Sequence, residues 1–309
     1  MHSLNVISRL DGHARGFCLV LLAAFCYGLQ PLFAQYAYAG GTDPVGLLLA
    51  RFTLAAVVLL AILRWRGVVL PRGRLVRQNL LLGFGYGLAA LGYYSACHST
   101  SVSLAIILVY SFPAFVTVVS IACLGERLSV LKLASLALAL GGVLMATGLS
   151  VTSVSAGALW ALFAAICYGA SIIYGTHRIT HENPLASAAM LLLGCALTFA
   201  VAALLQGASL PSTAPAWWAT LGLAVFATLV PVAAFLAGSP RIGPSTAATL
   251  STVEPVVAVT IAVLLMGEQF TYAMFLGGVM VLLAAVFLAR QGSAEREPAA
   301  MRGGVSPDR

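Results

Sequence analysis

What this chain lacks most is charge. Only 8% of its 309 residues are Asp, Glu, Lys or Arg, and 61% are hydrophobic. A soluble domain carries roughly 25% charged residues. A surface this poor in charge cannot face water, so the solvent of the chain is lipid. Acids are scarcer than bases, nine against sixteen, and histidine occurs five times. Nucleophile–base sets cannot be assembled from so few groups, and no cluster has metal-ligand spacing. No CxxC occurs among the six cysteines (Cys18, Cys26, Cys97, Cys123, Cys167, Cys195), which read as small apolar packing residues. No phosphate-cradling glycine loop of the Walker type is present either, which argues against ATP drive within this chain. Neither a cofactor nor a metal is called for.

What is there is a succession of apolar runs. Ten of them, 16–37, 45–65, 79–98, 103–123, 129–149, 157–176, 185–205, 217–237, 245–266 and 272–290, are each about 20 residues long, enough to cross roughly 30 Å of hydrocarbon as helix. The expected fold is therefore all-α and polytopic, with ten transmembrane helices and short connections. Residues 1–15 are polar. The tail QGSAEREPAAMRGGVSPDR, 291–309, shows no apolar period and is expected to be disordered. Ala37-Tyr38-Ala39 resembles a signal-peptide cleavage site. The run before it exceeds the roughly 7–15 residues of a signal core and has an internal copy, so the first helix is read as retained.

The bases choose an orientation. With the N-terminus inside, fifteen of the sixteen Lys and Arg fall in cytoplasmic segments, and Arg51 lies within the second helix. That separation is the positive-inside pattern. It predicts a multi-pass protein of the plasma or inner membrane with both termini cytoplasmic. The net charge of +7 then needs no nucleic acid; anionic lipid of the inner leaflet is its natural partner. The oligomeric state is left open, a homodimer included.

The chain also repeats itself. AAFCYG at 23–28 returns as AAICYG at 164–169. Ser103, Ala105, Leu108, Pro113, Gly125 and Glu126 return as Ser245, Ala247, Leu250, Pro255, Gly267 and Glu268, with identical spacing from Pro to Gly-Glu. The two blocks predict two five-helix halves, 16–149 and 157–290. Five is odd, so the second half enters the membrane from the opposite face. Inverted repeats of this kind are an architecture of secondary transporters, whose site lies near the midplane. At about 1.5 Å per residue, Tyr27 and Tyr168 come roughly 16 Å into their helices, and Pro113 and Pro255 roughly 15 Å.

The candidate site residues follow from what hydrocarbon tolerates. Buried hydroxyls need partners or a watery cavity, which selects Tyr27 and Tyr168, with Gln30, Tyr93, Tyr94, Tyr110, Ser111, Trp160, Tyr174, Thr249 and Thr252 as further lining. Prolines free the carbonyl four residues earlier: Pro31, Pro113, Pro231 and Pro255 free those of Tyr27, Val109, Ala227 and Ser251. Such carbonyls survive at this depth only where a donor reaches them. Glu254, in STVEPVVAV, is the one acid placed deep in a helix. An intramembrane acid costs roughly 3 kcal/mol and is a functional candidate by default, either for proton coupling or as counter-charge to a cationic solute. Its repeat partner is Phe112. Arg51 and Glu254 differ in depth by only about 7 Å, so a pair between them in one conformation is expected, or else Arg51 snorkels outward. Glu126 and Glu268 are expected to serve a helix stop and the first turn of the next helix. His98 is expected near the outer end of helix 3. His177 and His181 flank Arg178 on the inner side.

At these residues the chain resembles the drug/metabolite transporter (DMT) superfamily, EamA-like branch. The similarity is carried by the paired openings of helices 1 and 6, LLARF around Arg51, FPAFVTVVSIACLGERLS at 112–129 and EPVVAVTIAVLLMGEQFT at 254–271. It implies a basket of helices 1–4 and 6–9 around a central cavity, with helices 5 and 10 outside. It also implies transmembrane transport by alternating access without ATP, often efflux of amino acids, nucleosides, other metabolites or toxic compounds. A passive facilitator or channel, a lipid-directed flippase and, last, a membrane-embedded enzyme are the rival readings.

Overall fold

The computed structural model describes residues 2–124, 129–146, 155–178, 183–242, 247 and 250–302. Every regular element among them is helical: α1 (His2–Gly28), α2 (Gln30–Ala39), α3 (Pro44–Trp65), α4 (Arg74–Ser99), α5 (Val102–Val109), α6 (Phe112–Leu124), α7 (Val130–Ala146), α8 (Ala156–Arg178), α9 (Pro184–Gln206), α10 (Ala214–Ala224), a π turn over Val225–Leu229, α11 (Val230–Ile242), α12 (Val253–Leu265) and α13 (Tyr272–Arg302). Seven helical stretches among the described residues are long and apolar enough to cross a membrane, counting α1–α2, α5–α6 and α10–α11 each as one. Three shorter apolar helices accompany them, Val130–Ala146, Val253–Leu265 and Tyr272–Phe287.

The helix starts are written in the sequence. Asp43, Asn183 and Thr213 each precede a first turn containing proline, and each accepts a hydrogen bond from the backbone N–H three residues on, at 2.6, 3.2 and 3.4 Å. Proline is at home there because the first turn has no use for its missing N–H, and the capping oxygen satisfies one of the helix's free donors. Gly207 (φ +82°) ends α9 and Gly267 (φ +71°) follows α12, positions where a side chain would be strained.

The breaks within helices fall at the prolines. α1 gives way to α2 at Leu29, two residues before Pro31. Tyr110 and Ser111 separate α5 from α6 just before Pro113, and Pro231 follows the π turn. Pro255 lies in the first turn of α12. The ends of the chain differ from expectation. α1 already begins at His2 and α13 continues to Arg302, where a polar segment and a disordered tail were expected. The physical reason is that propagating an existing helix costs far less than nucleating one, and the tail supplies Ala, Glu and Arg, which are strong helix formers. The expected roles of Glu126, Ser245, Thr249 and His181 fall outside the described residues.

Lipid offers no hydrophobic drive between helices, so close packing of small residues holds them together. α4 packs on α8 and α9, α3 on α9, α1 on α11 and α12, α6 on α8, and α7 chiefly on α13. A core of Leu47, Leu48, Phe52, Ala55 and Phe199 fills the α3–α9 seam, with the rings of Phe52 and Phe199 stacked at 5.8 Å.

The repeated glycines sit at equivalent crossings. A Cβ on Gly28 would lie 2.6 Å from Val257 and 3.0 Å from the Glu254 carbonyl; one on Gly169 would lie 2.8 Å from Phe115 and 3.4 Å from the Phe112 carbonyl. Phe112 and Phe115 are the repeat counterparts of Glu254 and Val257. The opening block of each half thus packs against the proline block of the other. The next pair behaves alike: Gly16 abuts Ile242, and Gly157 abuts Thr100, its counterpart.

Candidate functional site

Side chains from both halves converge where these crossings meet. Tyr168 on α8 stacks edge-on against Phe112 at 4.7 Å and against Tyr86 of α4 at 5.4 Å. Phe112 in turn meets Tyr110 at 6.0 Å. The Tyr110 hydroxyl donates to the Ser251 carbonyl at 3.3 Å and lies within hydrogen-bonding reach of the Glu254 carboxyl. Tyr27, Gln30, Tyr86, Tyr93, Tyr110, Tyr168 and Glu254 are all partly accessible, although each lies between helices.

One wall of the site is a fixed cation. Arg51 is 5% exposed. Its Nε donates to Thr228 Oγ1 at 2.8 Å, Nη1 to the Tyr94 hydroxyl at 2.5 Å and Nη2 to the Ala227 carbonyl at 3.1 Å. The local sequence explains this. Pro231 has no N–H to give Ala227, and the π turn carries Thr228, whose own hydroxyl donates to the Leu223 carbonyl at 3.0 Å. The freed carbonyl and the threonine oxygen together form a seat for a guanidinium, whose planar fork offers several donors at once. The Tyr94 hydroxyl passes the network on to Gln30 Oε1 at 3.2 Å, and the Tyr38 hydroxyl donates to the Tyr94 carbonyl at 3.2 Å.

Arg51 therefore turns inward, which corrects the snorkelling alternative. In this conformation all three of its nitrogens are held by Thr228, Tyr94 and Ala227. Tyr94 is 1% exposed, so it positions Arg51 and offers no surface to a solute. The Ser111 hydroxyl is spent on the Leu108 carbonyl at 2.7 Å, within the α5–α6 break. Thr252 occupies the residue before α12, and Tyr174 lies partly buried on α8, six residues beyond Tyr168. Trp160 is 38% exposed and meets Phe163. His98 lies in the last turn of α4, edge-on to the Tyr38 ring at 5.0 Å.

Sequence reasoning passed over Tyr86, Tyr38 and Thr228. Tyr86 and Tyr93 are seven residues apart on α4 and so share a face, a signal that two hydroxyls in an apolar helix could have given. Nothing in the sequence pairs Thr228 with Arg51. Glu268 is the clearest correction. It does not serve the helix that follows it. Its carboxylate accepts from Val102 N at 2.5 Å, from Ser103 N at 3.0 Å and from Ser103 Oγ at 2.7 Å, all at the start of α5 in the other half. That turn has no acid of its own, and a carboxylate is favoured at the positive end of any helix, its own or another's.

Comparison with known proteins accords with this layout. The EamA-like transporter family matches twice, over residues 14–148 and 155–290. An "Uncharacterized transporter" of Archaeoglobus fulgidus is 28% identical over 281 residues, covering 89% of this chain and 96% of its own. The "Uncharacterized inner membrane transporter YedA" of Escherichia coli K12 is 26% identical, covering 83% and 89%. The "Uncharacterized transporter YcbK" of Bacillus subtilis is 24% identical, covering 87% and 91%. A solved structure titled "Crystal structure of protein" superposes with a TM-score of 0.62 at 18% identity, covering 92% of this chain and 99% of that one, a likeness of fold. With both halves matched and the apolar helices in place, the chain is a multi-pass membrane protein that belongs to the EamA-like transporter family.

Proposed function

We propose that the chain is a secondary active transporter that exports small organic solutes by alternating access. In this reading the seven long and three shorter apolar helices are ten crossings, inserted as two inverted halves with both termini cytoplasmic. The observation that carries it is the exchange of contacts between repeats: Gly28 against Glu254 and Val257, Gly169 against Phe112 and Phe115. A twofold axis in the membrane plane relates such crossings, and a site on that axis can be exposed to either face by rocking one half against the other. The mutual packing of α7 and α13 suits a peripheral pair outside the moving basket.

A solute site between the halves, in this reading, also favours a class of solute. Arg51 is occupied by protein groups, so Glu254 is the charge left accessible, among the rings of Tyr27, Tyr110 and Tyr168. A carboxylate beside aromatic faces attracts ammonium groups. Glu254 takes a protonated amine of the solute in one state and a proton in the other, which couples export to proton entry. An Arg51–Glu254 ion pair would belong to another state of that cycle. A thermal-shift screen tests the class, because a ligand of the folded state stabilises it by mass action. Amine-bearing metabolites and drugs at about 100 times their Kd should each stabilise by about 2.7 kcal/mol. A response confined to anions or neutral sugars would contradict the reading.

A further inference from the structure

The first half gathers its bases in one place. Arg64, Arg66, Arg72, Arg74 and Arg77, five of the sixteen Lys and Arg, fall within fourteen residues, and no acid occurs between Asp43 and Glu126. All five are exposed, and among the described residues their side chains make no hydrogen bond or ion pair. Two of them stand where a helix repels them. Arg74 and Arg77 open α4, whose first turn holds no acid, although the start of a helix is its positive end. The fold does not ask for these charges. The connection 207–213, which occupies the equivalent place in the second half, contains no Lys or Arg. Orientation asks only for an excess of bases on one side, and the other base-bearing segments supply it.

Apolar side chains stand among the arginines. Trp65 is 85% exposed and Val69 74%. α3 ends at Trp65 and α4 begins at Arg74, so the connection between them is eight residues long. At about 3.3 Å per residue it can rise roughly 13 Å from the helix ends and return. A tryptophan at the end of a membrane helix sits at headgroup level. The guanidinium groups are therefore held near the phosphates of the lipid, and a guanidinium fork matches a phosphate through two donors at once. A soluble anion would satisfy the arginines but has no use for Trp65 and Val69. A phospholipid meets both.

We propose that the segment 64–77 is a binding site for an anionic phospholipid, whose phosphate is held by arginines of this segment and whose chains lie beside Trp65. The proposal does not depend on the transport reading. Trp65 is its native probe. With Trp160→Phe, Trp217→Phe and Trp218→Phe, the protein is reconstituted in phosphatidylcholine bilayers. About a tenth of the lipid is brominated on its acyl chains, as either phosphatidylglycerol or phosphatidylcholine. One arginine near a charged surface favours anionic lipid about fivefold. At that dilution, brominated phosphatidylglycerol should quench Trp65 about threefold more than brominated phosphatidylcholine. Arg72→Gln/Arg74→Gln/Arg77→Gln should bring the two lipids level. A second protein keeps Trp218 alone, which is 71% exposed near the start of α10, and there the two lipids should quench alike. That comparison leaves the arginines intact, so it decides the matter however the triple variant folds. Equal quenching of Trp65 by the two lipids, or no quenching by either, would overturn the proposal. So would a preference that survives the triple variant, or the same preference at Trp218, which would mark a general annulus around the protein.

Discussion

Glu254→Gln abolishes proton-coupled transport in proteoliposomes while the protein stays folded. Glutamine keeps the length of the side chain and can still meet the Tyr110 hydroxyl, so the packing against Gly28 is undisturbed. What it removes is the carboxylate charge on which the proposed coupling depends. Holding an acid at mid-membrane costs roughly 3 kcal/mol on insertion scales, an amount that corresponds to somewhat more than a hundredfold in an equilibrium constant. If that cost is maintained for function, solute flux driven by a pH gradient should fall by about that factor. Thermal stability should hold or rise, since the cost of the charge is gone. Wild-type flux with unchanged pH dependence would remove Glu254 from the mechanism.

Arg51→Ala has the opposite signature: it destabilises the fold. The truncation strips partners from the Thr228 and Tyr94 hydroxyls and from the Ala227 carbonyl, and Pro231 denies that carbonyl its helical donor. A neutral interhelical hydrogen bond in a membrane averages only about 0.6 kcal/mol, whereas bonds from a charged donor are worth about 1.5–3 kcal/mol. Three from one buried guanidinium should together contribute about 2–4 kcal/mol. The melting temperature should fall by about 10 °C. Arg51→Lys should recover less than half of this, because an ammonium is a point donor and cannot span the three acceptors. A melting temperature equal to wild type in Arg51→Ala would mean that the seat built by Pro231 and Thr228 carries no weight.

These two residues also mark how far the sequence could be read. Charge poverty and the apolar runs were enough for a polytopic helical protein, and the twin blocks were enough for two halves. The prolines announced which carbonyls would be freed, and two of these do find donors: Ala227 takes Arg51 and Ser251 takes Tyr110. Which donor arrives was not legible. Spacing along one helix fixes which residues share a face, but not which neighbour that face meets. Thr228 and Arg51 are 177 residues apart, and Glu268 and Ser103 are 165 apart. A Gly-Glu pair after a helix looks, in sequence, like the opening of the next helix. Only the packing of one half on the other brings the bare first turn of α5 within its reach. Tyr94 was misread as lining for the same reason: its burial depends on α2 and α3, not on its own helix.

The account stands on the two halves being threaded through the bilayer in opposite senses, and sided labelling tests this most directly. The connections 66–73 and 207–213 occupy equivalent places in the two halves, and Arg72 and Leu210 are exposed in them. Single cysteines at these positions, in a cysteine-free background, can be reacted with an impermeant maleimide from each face of the membrane in turn. The account predicts that Arg72→Cys labels only from the cytoplasmic face and Leu210→Cys only from the outer face. Labelling of both from the same face would contradict it.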